Sequence, residues 1–188
     1  MLLLIIGLLT WSSLHFVPAI AIAQRTRLIS TYGEMKYKMI YSILVVISVT
    51  LMVFGWRSIE PASIYMPFEL SPMITVLIMF ITIILFFVAR LKSNLKRIIR
   101  HPQLTAVILW SVAHLLSNGD NRSLILFGAL GIWAIAEIIL INRREGDWVK
   151  PEPIPMKSEL KVAAIGIGMF TVFLFVHPYL SGVSLVAQ

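Results

Sequence analysis

The chain reads as an all-α integral membrane protein, a bundle of about six transmembrane helices forming a single domain over residues 1–188. Three observations predict this. Of its residues, 59% are hydrophobic and 13% charged, whereas an ordinary soluble domain is roughly 45–50% apolar and about 25% charged. The apolar residues fall in long runs that approach the ~20 residues a helix needs to cross hydrocarbon. The charges gather between those runs, and six spans leave no length for a separate soluble domain. Cysteine is absent, so any metal or haem would have to use His, Met or carboxylate ligands. The net charge of +7 sits at helix ends, which suits loops anchored at a membrane face. No basic stripe with interleaved aromatic residues is present, so nucleic acid is not an expected partner.

Residues 1–23 carry no charge beyond the amino terminus and form the first span. A signal peptide would need a basic segment before the apolar run and a small-residue cleavage site. Met1 is instead followed directly by leucines, and the run continues through His15 and Pro18, so a retained helix is expected. Residues 24–38 form a polar loop with Arg25, Arg27, Lys36 and Lys38 against Glu34 alone. Residues 39–56 are the second span, with Tyr37 and Tyr41 at one end and Trp56 at the other, where amphipathic rings favour the interface. The three prolines of residues 57–72 predict an irregular surface connection.

Residues 73–89 are the third span. Residues 90–100 carry Arg90, Lys92, Lys96, Arg97 and Arg100 without an acid, and the spacing of LKSNLKRII predicts an interfacial helix. Pro102 suits the first turn of the fourth span, because the N–H it lacks would be unpaired there anyway. That span, residues 102–117, is short and ends at the turn signal Asn118-Gly119. Asp120 is expected to cap the fifth span, residues 123–141. Gly128, Ala129, Gly131 and Ala134 on it would admit a close neighbour. The proline cluster KPEPIP in the loop of residues 142–161 should lie extended. A sixth span follows over residues 162–178, and the uncharged tail could extend it.

Loops one, three and five are basic, while loops two and four hold one Arg each. By the positive-inside rule the basic loops belong in the cytoplasm and both termini lie outside.

This topology places two histidines inside spans. His15 lies roughly 13 Å from the cytoplasmic end of its helix and His114 roughly 18 Å from the same side, at 1.5 Å per residue. Each has a tryptophan four residues earlier, Trp11 and Trp110, hence on the same helix face. Histidine in hydrocarbon is costly unless paired. Two imidazoles at similar depth with flat aromatic walls would suit a haem, with His15 and His114 as the metal ligands. The alternative is a hydrogen-bonding role that joins helices, for which Ser12, Ser13 and Ser111 are nearby partners. Arg100 and His101 at the cytoplasmic boundary would bind an anionic headgroup or phosphate, or serve as anchors. His177 near the outer end reads as interfacial. Glu137, the one acid well inside a span, is expected to pair with Arg143, Arg144, Arg100 or His101. Phosphate-cradling glycine loops, HExxH pairs and nucleophile elbows are missing.

The run RHPQ…WSVAHLLSNGD…SLILFGALGIWA, with WSSLHFVPA before it and INRR after it, resembles the NnrU family. These are bacterial inner-membrane proteins associated with denitrification and nitric-oxide reduction. The resemblance covers most of the chain and is densest over residues 100–144. It implies a lipid-embedded protein whose partners are components of nitric-oxide or nitrite respiration. The same family includes ζ-carotene isomerase, whose RHPQ…W-x-x-A-H block is similar to residues 100–114 and whose histidines ligate b-type haem. By that resemblance His114 and His15 match haem ligands. The isomerase has a cysteine where this chain has Ser111, so a thiolate ligand is not available. A haem-dependent isomerase of a long apolar substrate and a cofactor-free structural partner are the alternative readings. A slighter resemblance, confined to Arg100-His101-Pro102, is to membrane methyltransferases. Those continue with Tyr and Gly, where this chain has Gln103-Leu104-Thr105-Ala106.

Overall fold

Apolar runs broken by glycine, proline and charge fold into seven α-helices along the described chain. The structure, a computed structural model, describes residues 1–182. The helices are α1 (Leu2–Ile20), α2 (Ile22–Tyr32), α3 (Glu34–Arg57), α4 (Ser71–Arg90), α5 (Pro102–Ser117), α6 (Asn121–Glu145) and α7 (Met156–Ser181). Five of them, α1, α3, α4, α6 and α7, are long and apolar enough to cross a membrane, and α5 is a shorter apolar helix. Five candidate spans and one shorter apolar helix agree roughly with the expected six. The tail beyond residue 182 lies outside the described residues.

Two stretches differ from the sequence reading. The first loop is largely helical: α2 starts after a break at Ala21 and ends at Gly33, whose φ of 84° is open to glycine at no steric cost. It buries none of its residues; the Arg25 guanidinium lies 5.9 Å from the Tyr37 ring centroid and Arg27 is exposed, which suits a helix lying at the membrane surface. The interfacial helix expected after α4 is only a 3₁₀ turn, Asn94–Arg97, opened by Ser93 Oγ accepting from the Leu95 N–H. Glu159 of α7 holds that turn, accepting from Ser93 Oγ at 2.9 Å and from the Asn94 N–H.

The helices pack in the spatial order α3–α1–α6–α5–α4–α7, so α6 stands between α1 and α5. Loops one, three and five meet at one end, where Arg144 donates to the Pro18 carbonyl and Arg100 to Gly146. Loops two and four meet at the other, where Tyr65 donates to the Leu115 and Asn118 carbonyls. The basic loops thus share one end, as their charge requires.

At the opposite end Asp120 caps α6 as expected. Its Oδ1 accepts from the N–H of Arg122 at 3.1 Å and of Ser123 at 3.0 Å, and its Oδ2 from Ser123 Oγ at 2.6 Å. Burial works to raise this carboxyl, but the Ser123 hydroxyl and N–H and the Arg122 charge outweigh it and hold it below the usual carboxylate range. A depressed folded value means that its stabilisation is present above the ordinary carboxylate value and is lost as pH falls through the folded one. Thermal melts should therefore show stability falling below about pH 4, with Asp120→Asn showing less of that acid loss. Asp120→Ala should cost about 1 kcal/mol at neutral pH.

Candidate functional site

The two half-buried histidines share one local design. In α1 the His15 Nδ1 lies 2.8 Å from the Trp11 carbonyl, and in α5 the His114 Nδ1 lies 2.8 Å from the Trp110 carbonyl. A carbonyl only accepts, so Nδ1 carries the proton and the neutral ring keeps its lone pair at Nε2. Each imidazole is thus anchored to its own helix rather than to a neighbour. The expected partners Ser12, Ser13 and Ser111 are not used. A ring N–H given to a backbone carbonyl is the arrangement that orients a metal-ligating histidine.

Each ring lies against aromatic neighbours. Trp11 stacks on His15 with centroids 4.0 Å apart, and Trp133 of α6 meets it edge-on at 5.6 Å. Tyr41 of α3 completes that group at 6.0 Å. His114 has Trp110 tilted beside it at 5.0 Å and Phe127 of α6 stacked on it at 4.4 Å. The spacing of four residues identified Trp11 and Trp110. Trp133, Phe127 and Tyr41 come from other helices and carry no local signal.

Among the described residues no ring contact joins His15 and His114 directly. They flank α6, against Trp133 and Phe127, which are six residues apart on that helix. That separation is roughly 9 Å along the axis and about 120° around it. Two imidazoles on one iron need their nitrogens about 4 Å apart, since metal–nitrogen bonds run about 2 Å. The helix α1 ends at Ile20 rather than near residue 23. His15 is therefore roughly 8 Å from its helix end while His114 is roughly 18 Å from the start of α5. The donor chemistry of each ring fits an iron ligand, and each ring contacts a different aromatic side chain of α6. Among the described residues no group of three or more His, Asp or Glu side chains is suited to a metal ion. His177 of α7 lies within electrostatic reach of His114.

Glu137 does not form the expected ion pair. Arg100 and Arg144 both turn to Glu145, at 3.3 and 2.8 Å, and His101 Nε2 meets Asn142 Oδ1 at 2.9 Å. Arg143 forms no ion pair with it among the described residues. The reason is depth. Glu145 ends α6 in the polar zone, where a guanidinium stays hydrated, while Glu137 lies eight residues, roughly 12 Å, further in. Its Oε2 is buried without a hydrogen-bond partner, as are Trp133 Nε1 one turn away and Ser111 Oγ on α5.

Arg100 and His101 line two adjoining clefts at the basic end. The larger, about 480 Å³, also has Arg144, Glu145, Asp147 and Trp148 in its wall. The smaller, about 280 Å³, adds Ala89, Lys96 and the first residues of α5.

A bundle of six apolar helices with imidazoles held in its interior defines an integral membrane protein. The profile of the NnrU family, described as NnrU protein, matches residues 3–185, so the chain belongs to the NnrU family. No curated protein and no solved structure shows a match.

Proposed function

We propose that the chain works in nitric-oxide and nitrite metabolism from the bacterial inner membrane, with both termini outside, and that it holds b-type haem through His114 Nε2. The observation that carries this reading is the Nδ1 bond to the Trp110 carbonyl, which presents the opposite nitrogen as a lone pair inside the bundle. When bound, haem supplies one-electron and small-gas chemistry. The chain supplies the rest. Trp110 fixes the imidazole orientation through its carbonyl, and Phe127 packs on the ring face, limiting its rotation and the access of water. His15 has the same tautomer and packs against Trp133 rather than Phe127, and in this reading it is a separate imidazole.

The optical spectrum of protein purified after haem-replete expression tests the reading. A Soret band is expected that His114→Ala abolishes and His15→Ala retains. Colourless wild-type protein, or a band that His114→Ala leaves intact, would refute it. Loss in both variants would instead mean a shared iron, reached by a movement of α1 along α6.

A further inference from the structure

Two clefts at the basic end adjoin at Arg100 and His101, which line both. Their charges are arranged unevenly. Arg100 and Arg144 share Glu145, so this trio carries one positive charge in excess. In the smaller cleft Lys96 Nζ donates only to the neutral Ala89 carbonyl at 3.0 Å, and no acid lines that wall. In the larger cleft Asp147 has no ion pair among the described residues. The pair of clefts is therefore cationic at the Lys96 end and anionic at the Asp147 end.

Its setting is the edge of the bilayer. Ala89 is in the last turn of α4, Pro102 begins α5 and Ile141 is in the last turns of α6. Exposed Ile98 and Val149 stand close by in the chain, at 75% and 89% exposure, offering apolar surface to acyl chains. A diffusing anion would use only the cationic half. A phospholipid whose headgroup joins a phosphate to a primary ammonium would use both halves.

We propose that this pair of clefts is a site for a zwitterionic, ethanolamine-type phospholipid. Its phosphate lies on Lys96, Arg100 and His101, where charge-assisted contacts are strongest, and its ammonium lies on Asp147. The Trp148 ring already has the Lys150 ammonium 5.7 Å from its centroid, which leaves the carboxylate as the ammonium partner. The site does not depend on the haem reading, since neither half-buried histidine takes part.

Native mass spectrometry of delipidated protein, titrated with phosphatidylethanolamine, phosphatidylglycerol or inorganic phosphate, tests it. Phosphatidylethanolamine should be retained about five-fold better than phosphatidylglycerol, the size of one well-placed exposed ion pair. Asp147→Asn should erase that preference and leave phosphatidylglycerol retention unchanged. Lys96→Gln should weaken both lipids. Both are surface changes that spare the Arg100 bonds to Gly146 and Glu145. Equal retention of the two lipids by wild type would overturn the proposal, as would a preference that survives Asp147→Asn. Inorganic phosphate displacing either lipid at equal concentration would instead make this a site for a soluble anion.

Discussion

Gly55→Val should destabilise the protein by about 3 kcal/mol or more, at the upper end of what overpacking costs. A Cβ at Gly55 would run into the backbone of Leu3 and Leu4 in α1. Backbone cannot rotate aside as a side chain can, so α1 and α3 would have to part. The same closeness recurs further along, where a Cβ on Gly7 would lie 2.8 Å from the Ser48 carbonyl oxygen and the Met52 nitrogen. Leu4, Leu8 and Met52 are buried around these two contacts, and separating the helices would lose that packing as well. In membranes this closeness is the source of the attraction, because lipid is as apolar as leucine and only fit distinguishes a helix from its solvent. Gly168 gives the control, since a Cβ there meets nothing within 4 Å. Gly168→Ala should be neutral or slightly stabilising, as alanine is the better helix former. Melting in detergent checks both; a Gly55→Val protein that melts with wild type would show that α1 and α3 are not in backbone contact.

That contact also shows where sequence reasoning stopped. Small residues clustered on α6 pointed to Gly128 and Gly131 as the places of close approach. Gly131 does face another helix, with a Cβ 3.1 Å from that of Ser111, but Gly128 faces open space. The close α1–α3 seam uses Gly7 and Gly55, single glycines on two helices, and nothing local marks a pair that forms only on packing. Signals that act within a few residues read correctly. Pro102 starts α5, Asp120 caps α6 and the prolines of residues 150–155 keep that stretch out of the helix before Met156. The break at Ala21 was missed because the apolar run continues through it, and Pro18 inside α1 is tolerated where neighbours can satisfy the freed backbone. The partition of the candidate site follows the same line: Trp11 and Trp110 were readable from helical spacing, whereas Trp133 and Phe127 reach the histidines from α6.

Glu137→Leu should raise stability by about 1–3 kcal/mol, the cost of leaving a buried polar group unsatisfied. In a protein of this length each kcal/mol is worth roughly 2–4 °C of melting temperature. The side chain is 4% exposed and its Oε2 has no partner. Arg144, which could have reached it, is held by Glu145 and the Pro18 carbonyl. An apolar replacement removes the unpaired oxygen without leaving another group stranded, which is why such exchanges can stabilise. Glu137→Gln keeps a polar amide in the same place and should gain much less. The pair of variants separates two roles that a single one would confuse. A clamp that held α6 to a basic loop would make both variants less stable, and that result would refute the orphaned carboxyl seen here. A gain in melting temperature for Glu137→Leu, coupled to loss of the function proposed above, would mark Glu137 as a group kept for its chemistry at a cost in stability. Trp133 sharpens the reading, because its Nε1 is unpaired one turn away on the same face of α6 and its ring contacts His15. Two stranded polar atoms on adjacent turns concentrate strain beside one imidazole, and packing alone gives no reason for a helix to carry them there.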